Sequence, residues 1–206
     1  MVTQRQLEER EMRRQRILKG ALRVYQQEGI EKATMDGIAR ESGFGKATLY
    51  YYFDSKEEIF VELLRTGWEQ IWESVEVHVG TTGSPREKFI TILKTIARLI
   101  ADDRAFYGFL FQAPSQMPNL PEERQPWRAH QNRMYGVLRG LLEDGMSLGE
   151  FPRMESRLLL RAMGGLFHGL FFLGAPGKEI SEEAIESFLT NLFSGSGLTM
   201  DSETRY

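Results

Sequence analysis

The stretch from Thr34 to Lys56, TMDGIARESGFGKATLYYYFDSK, restricts the fold more than any other part of the chain. Thr34 can cap a helix from Met35 to Ser42, and Gly43 can take the left-handed conformation that ends it. After this sharp turn, a second short helix is expected from Lys46 to Tyr52. Two short helices joined in this way are the layout of a helix-turn-helix DNA-binding unit.

The side chains of this stretch divide into an inward and an outward face. Ala39 is small enough for two helices to cross there, and Leu49 and Phe53 face inward from the second helix. The outward residues of the second helix are Lys46, Ala47, Thr48, Tyr50 and Tyr51. Amines and hydroxyls suit phosphates and base edges, and the alanine methyl suits a thymine methyl. The alternative is a half-buried aromatic cluster without a DNA-binding role.

A further helix is predicted to begin at Ser55, because Ser55 and Glu58 have the spacing of a capping box. Lys56 lies in its first turn, where the helix dipole makes a cation unfavourable by roughly 0.3 to 1 kcal/mol. A bound phosphate at this helix N-terminus would explain the lysine. The alternative is a solvated lysine without a role.

Ala39, Gly43, KATLYYYF and SKEEIF together resemble the N-terminal domain of the TetR family of bacterial transcriptional repressors, over roughly residues 12 to 65. The resemblance implies a helix-turn-helix head, a helical body and a homodimer that binds an operator and releases it on binding a small molecule. The implied DNA-contacting residues are Thr34, Lys46, Ala47, Thr48, Tyr50, Tyr51 and Lys56. Gly45 departs from the Ser or Thr that is frequent in the family, so the recognition helix should have a weaker cap.

The basic residues are concentrated beside this motif. Residues 1–56 hold 11 Lys and Arg against 8 Asp and Glu, whereas the remainder holds 15 against 21. A first helix is predicted from Gln15 to Glu28, and the Arg-rich residues before it form either a frayed, solvated helix or an arm for the minor groove.

The rest of the chain predicts an all-α body with no strand-rich segment. Helices are expected from Ser55 to the break at Gly80, from Pro85 to about residue 101, and over residues 104–112. After a proline-spaced loop, they are expected over residues 127–146, 154–173 and 181–194. The predicted domains are a head, residues 1–54, a ligand-binding and dimerisation body, residues 55–195, and a disordered tail, residues 196–206.

Residues 154–173 are apolar on nearly all sides. The apolar run of 18 residues contains Arg161 and His168, so a buried helix is favoured over a membrane span. Such a helix needs cover on both sides, and a second chain can supply one of them in a four-helix bundle. The predicted dimer residues are Leu166, Leu170, Phe171, Ile185, Phe188, Leu189 and Leu192. The alternative is a self-contained monomeric core.

By resemblance, the effector should occupy a cavity among the middle helices of the body. The candidate lining residues are Phe106, Phe109, Leu110, Trp127, Met134, Met163, Phe167 and His168. Their aromatic and methionine side chains suggest a flat or long apolar effector. For each of them, ordinary core packing is the alternative.

Other functions have little support in the sequence. The histidines at positions 78, 130 and 168 show no spacing for a shared metal, and no paired carboxylates or nucleophile beside a base suggest an enzyme. No cofactor is expected. The absence of cysteine and of a signal peptide favours a cytoplasmic protein. A helical interaction module that has lost DNA binding stays as the competing hypothesis.

Overall fold

The computed structural model describes residues 3–112, 121, 125–173 and 181–193, and every regular element in these ranges is a helix. The all-α prediction is therefore confirmed. The helices are α1 (Gln4–Glu28), α2 (Met35–Ser42), α3 (Lys46–Tyr52), α4 (Lys56–Val79), α5 (Pro85–Asp102), α6 (Arg104–Gln112), α7 (Trp127–Ser147), α8 (Ser156–Phe172) and α9 (Glu182–Phe193). The predicted tail and most of the proline-spaced loop lie outside the described residues.

Local capping signals set most helix boundaries where they were predicted. The Thr34 hydroxyl accepts a hydrogen bond from the Gly37 N–H at the start of α2. Ser84 and Glu87 form the predicted capping box at the start of α5, with a proline in the first turn. At α4 the Ser55 hydroxyl accepts the Glu58 N–H, but the Glu58 carboxylate accepts the N–H of Asp54 rather than that of Ser55.

Helix α1 is longer than predicted, since it begins at Gln4 instead of Gln15. Thr3 and Gln6 form a capping box at its start. Its first turns expose their side chains to solvent, and pairs such as Arg5–Glu9 (3.2 Å) link successive turns. Apolar periodicity is absent there, so only the cap and these pairs could have predicted the extension.

The described residues divide into two compact units. The first contains the residues up to Glu69 and those from Ala105 to Arg128, and the second contains Gln70–Arg104 and the described residues from Ala129 onward. The boundary falls inside α4. In the second unit, α5 packs against α8 and α9. Along the described residues, every helix is too short or too polar to span a lipid bilayer.

Two tryptophans of α4 have different neighbours on either side of this boundary. Trp68 makes an edge-to-face contact with Phe111 of α6, with ring centroids 5.7 Å apart. Trp72 lies beneath the guanidinium of Arg133, whose carbon is 4.2 Å from the ring centroid. Both indoles are buried, Trp68 in the first unit and Trp72 in the second.

Candidate nucleic-acid interface and effector region

The turn between α2 and α3 has the geometry that the sequence predicts. Gly43 has φ 73° and ψ 31°, the left-handed conformation, and its N–H reaches the carbonyls of Ala39 and Arg40. The Phe44 N–H donates to the Ala39 carbonyl at 2.9 Å. Gly45 precedes α3 without any side-chain cap, as expected. The sharp bend therefore follows from backbone bonds and a glycine conformation that other residues rarely adopt.

Gly20 of α1 and Ser42 of α2 approach each other closely inside the head. A Cβ atom added at Gly20 would lie 2.8 Å from the Ser42 Cβ and 2.9 Å from its backbone nitrogen. Ser42 is buried, and its hydroxyl donates to the carbonyls of Ile38 and Ala39. The sequence indicated Ala39 as the small residue of the crossing but gave no signal for Gly20, whose partner lies 22 positions away.

Helix α3 presents an exposed face beside this turn. Leu49 and Phe53 are fully buried, which fixes the orientation of the helix. Tyr50 and Tyr51 are 46% and 69% exposed. Lys46 and Ala47 are also exposed, and Thr48 is half-buried. The half-buried aromatic cluster considered above therefore does not describe Tyr50 and Tyr51, whose side chains are accessible to a partner.

Charged side chains surround this exposed face. The Lys46 ammonium is 3.0 Å from the Asp36 carboxylate, and the hydrogen bond to Asp36 raises the pKa of Lys46. The Arg10 guanidinium carbon lies 5.7 Å from the centre of the Tyr51 ring. One acidic residue thus neutralises a cation of the face, while an arginine from α1 adds positive charge beside Tyr51.

The Arg-rich segment before residue 15 is a helix and not an extended arm. Arg14 makes an ion pair with Glu62 of α4 at 2.8 Å and lies over the Phe53 ring. Arg16 lies over the ring of Phe44. These arginines hold α1 against the turn and α4, so the segment is helical, and a contact with the minor groove stays a prediction.

Lys56 has an unexpected set of partners. Its ammonium donates hydrogen bonds to the carbonyls of Ile30, Glu31 and Ala33 at 2.9, 2.8 and 2.9 Å. These three bonds hold the turn between α1 and α2 against the start of α4. They give the lysine a structural role in the DNA-free chain, besides the phosphate contact predicted from the sequence. The structural role predicts that replacing Lys56 lowers stability, and the phosphate contact predicts that it weakens DNA binding.

The backbone of Lys56 is also joined to α1. The Tyr25 hydroxyl donates to the Lys56 carbonyl at 2.6 Å. Burial, with a smaller contribution from the Glu57 carboxylate, raises the pKa of Tyr25, so this hydroxyl stays protonated. The Tyr25 ring stacks on Phe109 of α6, with centroids 6.0 Å apart and planes 9° apart. Phe60 meets both rings edge-on.

The candidate effector residues in the first unit pack closely. Phe109 belongs to the aromatic cluster with Tyr25 and Phe60. A Cβ atom added at Gly67 of α4 would lie 2.9 Å from Leu110 and from Phe106, so α6 and α4 are in close contact there. The Gln26 amide donates to a carbonyl at the start of α6, that of Ala105, at 2.7 Å.

The other candidate effector residues differ in burial. Trp127, Met134 and Met163 are buried. Phe167 and His168 are half-buried, and their rings lie against Phe171 and Phe172, respectively. An apolar effector region stays a prediction for these eight residues.

The predicted dimer residues fall into two groups. Phe171, Ile185 and Leu189 are buried within the chain itself. Phe188 and Leu192 are 38% and 43% exposed, and Leu166 and Leu170 are half-buried. Only Phe188, Leu192, Leu166 and Leu170 therefore have exposed surface that a second chain could cover.

The structure also brings together polar residues that the sequence did not indicate. Asn132, Tyr135 and Arg139 of α7 line a groove with Arg157 and Arg161 of α8. The spacing of four between Arg157 and Arg161, on an otherwise apolar helix, was the available signal. Within the described ranges, no group of three or more His, Asp or Glu residues could hold a metal ion.

Comparison with known proteins assigns both halves of the chain. Residues 17–63 match the family model described as bacterial regulatory proteins, tetR family, and residues 82–172 match the tetracyclin repressor-like C-terminal domain. The uncharacterized HTH-type transcriptional regulator YfiR of Bacillus subtilis (strain 168) is 36% identical over 190 residues, which cover 84% of this chain and 87% of YfiR.

Two solved structures share the fold. FadR from Bacillus subtilis in complex with stearoyl-CoA has a TM-score of 0.71 at 21% identity, over 88% of this chain and 97% of FadR. AibR in complex with isovaleryl coenzyme A and operator DNA has a TM-score of 0.76 at 18% identity, over 88% of this chain and 98% of AibR. At such identities the likeness concerns the fold alone.

Proposed function

The chain belongs to the TetR family of bacterial regulatory proteins, and from this premise we propose that it represses transcription as a homodimer on a palindromic operator. It is a DNA-binding, ligand-responsive regulator, and its relatives are regulators rather than enzymes. A small-molecule effector with an apolar part releases it from DNA in this proposal. The exposed face of α3 is the observation that carries the proposal.

The face of α3 supplies both kinds of DNA contact. Lys46 and Tyr50 provide a cation and a hydroxyl for phosphate oxygens, which fix the position of the head on the duplex. Ala47 and Tyr51 face outward on the same helix and are the candidates for base-edge contacts in the major groove. Thr34 at the start of α2 adds a hydroxyl. Its oxygen accepts the Gly37 N–H, and its proton is left to donate to a phosphate.

A homodimer explains the apolar surface of α8 and α9. Phe188 and Leu192 are four residues apart, so they lie on one side of α9 and are both exposed. Leu166 and Leu170 have the same spacing on α8 and are half-buried. A two-fold contact through these four residues would complete the four-helix bundle and place two heads on half-sites about one helical turn apart. Ile185 and Leu189 instead hold α9 within its own chain.

Helix α6 is the proposed route from effector to head. It carries three of the candidate effector residues, and within the first unit it contacts α1 through the Tyr25–Phe109 stack and α4 through Gly67. An effector that displaces α6 must disturb these contacts, because interiors are close-packed. Occupancy then shifts the population toward a dimer whose heads no longer fit the operator.

An acyl thioester of coenzyme A is the effector class that we favour. It combines an apolar acyl chain, which suits the aromatic and methionine side chains of the predicted region, with a large end that carries anionic phosphate groups. The FadR and AibR structures were solved with stearoyl-CoA and isovaleryl coenzyme A. Both share this fold, which supports the same class here.

Fluorescence anisotropy with labelled genomic fragments tests the proposal. We expect saturable, salt-sensitive binding to one palindromic fragment, weakened by Lys46→Ala and reversed by an acyl-CoA. Arg153→Ala, in the exposed turn between α7 and α8, is the matched control because it removes the same charge from the second unit. If the protein binds none of the fragments at low salt concentration, the result supports the interaction module instead.

A further inference from the structure

The groove between α7 and α8 has an unusual concentration of positive charge. It has a volume of about 640 Å³, and Arg139, Arg157 and Arg161 all line it. The three arginines therefore meet in one groove of a chain whose net charge is −3.

These arginines are poorly neutralised by the protein itself. The Arg139 guanidinium is 3.8 Å from the Glu143 carboxylate, which also accepts a hydrogen bond from the Ser156 hydroxyl at 2.8 Å. Neither Arg157 nor Arg161 forms an ion pair with any residue in the described ranges, and both are exposed. Like charges gathered in one concave site attract an anion, and the planar guanidinium fits phosphate oxygens in a bidentate manner.

The groove also has space and neutral hydrogen-bonding groups. Gly136 of α7 and Gly164 of α8 line it, and a Cβ atom added at either would meet no atom within 4 Å. Asn132 supplies an amide, and Tyr135 supplies an aromatic ring with a hydroxyl. Tyr135 is 40% exposed, and its hydroxyl is a neutral hydrogen-bond donor. A volume in the range of roughly 300–1,000 Å³ is typical of small-molecule sites.

The groove lies on a different side of α8 from the proposed dimer contact. Arg157, Arg161 and Gly164 share one side, because residues three and four apart are neighbours on a helix. Leu166 is nine positions beyond Arg157, which places it about 180° around the axis at roughly 100° per residue. Dimerisation through Leu166 therefore leaves the groove accessible.

We propose that this groove binds the phosphate-bearing end of the effector, with Arg139, Arg157 and Arg161 on phosphate oxygens and Tyr135 against an adjoining ring or chain. The proposal rests on the proposed function in one respect, namely that the chain responds to a small molecule. For an acyl-CoA, the groove takes the phosphorylated nucleotide of coenzyme A. The site distinguishes anionic effectors from purely apolar ones.

Isothermal titration with coenzyme A itself, which lacks the acyl chain, tests the site on the full-length protein. We expect wild-type binding that weakens as salt is raised, and a loss of about tenfold or more in affinity for each of Arg157→Gln and Arg161→Gln. Arg153→Gln is the matched control, since it removes an exposed arginine four residues before Arg157, and it should bind within about twofold of wild type. Inorganic pyrophosphate should compete with coenzyme A. Competition by adenosine at least as strong as that by pyrophosphate would place recognition in the ring and overturn the assignment of the arginines.

Two further measurements keep the result decisive. Arg161→Lys retains the charge but loses the bidentate fork, and it should bind coenzyme A more tightly than Arg161→Gln does. A thermal melt of each variant identifies those that fail to fold. No binding of coenzyme A to wild type, or equal binding to a folded variant that carries both Arg157→Gln and Arg161→Gln, would overturn the proposal. Operator binding is measured separately on the same variants, so failure of the groove leaves the DNA-binding proposal standing, and failure to bind DNA leaves the groove measurable.

Discussion

Replacing Lys56 with methionine separates the two roles that this lysine can have. The change removes the ammonium but keeps an unbranched stem of similar length. Three charge-assisted hydrogen bonds to the turn between α1 and α2 are lost. Ile30 and Ala33 are buried residues whose bonds to Lys56 are part-buried, whereas Glu31 is exposed, so water replaces the ammonium most readily at Glu31. Leaving a buried carbonyl without its donor costs about 1–3 kcal/mol.

We therefore expect Lys56→Met to lower the free energy of unfolding by roughly 1–3 kcal/mol, since water can partly replace the ammonium at the two part-buried carbonyls. This is a large part of the stability of a typical domain, about 5–15 kcal/mol. Urea unfolding of the DNA-free protein, followed by circular dichroism, measures the change. Lys32→Met is the matched control because Lys32 is exposed in the same turn and makes no recorded hydrogen bond or ion pair in the described part of the chain. Its unfolding free energy should change by less than about 0.5 kcal/mol.

Operator binding measured against salt concentration gives the second readout. A lysine that contacts a phosphate contributes about 0.9 to the slope of log affinity against log salt, so its loss should lower the slope by about one for each head. A purely structural lysine should leave the slope unchanged while stability falls. If the slope falls and the unfolding free energy does not, the three carbonyl bonds are not what keeps Lys56 in place, and the structural reasoning is refuted.

Three other substitutions test the head and the dimer. Gly20→Ala forces a Cβ atom against the main chain at the end of α2 and should lower the free energy of unfolding by about 1–3 kcal/mol. The control Gly140→Ala has open space around it and should raise that free energy by up to about 1 kcal/mol. Equal effects of the two substitutions in urea unfolding would contradict the close approach. Asp36→Asn removes the partner of Lys46 and should strengthen binding to DNA of every sequence, with a steeper salt dependence; weaker binding would mean that this carboxylate organises the face. Phe188→Glu should yield monomers in light scattering without loss of helix, and an unchanged dimer would remove α9 from the contact.

Signals that act within a few residues made the helices of this chain predictable. Thr34, Gly43 and Ser84 each form the cap or turn that their neighbours in sequence require, because the atoms that they contact lie within four positions. The exposed face of α3 follows from the same local information, since buried Leu49 fixes the rotation of the helix. The turn and the candidate DNA-contacting face could therefore be predicted before any coordinates were known.

Contacts between distant residues were not predictable in this way. The lysine at position 56 looks like a local anomaly in the sequence, and its partners lie 23 to 26 positions earlier. Gly20 gives no sign that Ser42 will approach it. Arg157 and Arg161 show their spacing, but only the arrangement of α7 and α8 brings Arg139 to the same groove. Each case depends on how helices pack, which capping and periodicity do not encode.

The boundary inside α4 also gives the chain two native optical reporters. Trp68 and Trp72 are one helical turn apart, yet Trp68 packs against the ring of Phe111 in the first unit and Trp72 is covered by a guanidinium of the second. Indole emission depends on nearby charge, so the two should fluoresce at different wavelengths. With Trp127 and one of this pair replaced by phenylalanine, the emission of the remaining indole would report changes in its own unit as DNA or a small molecule binds. No attached dye would be needed.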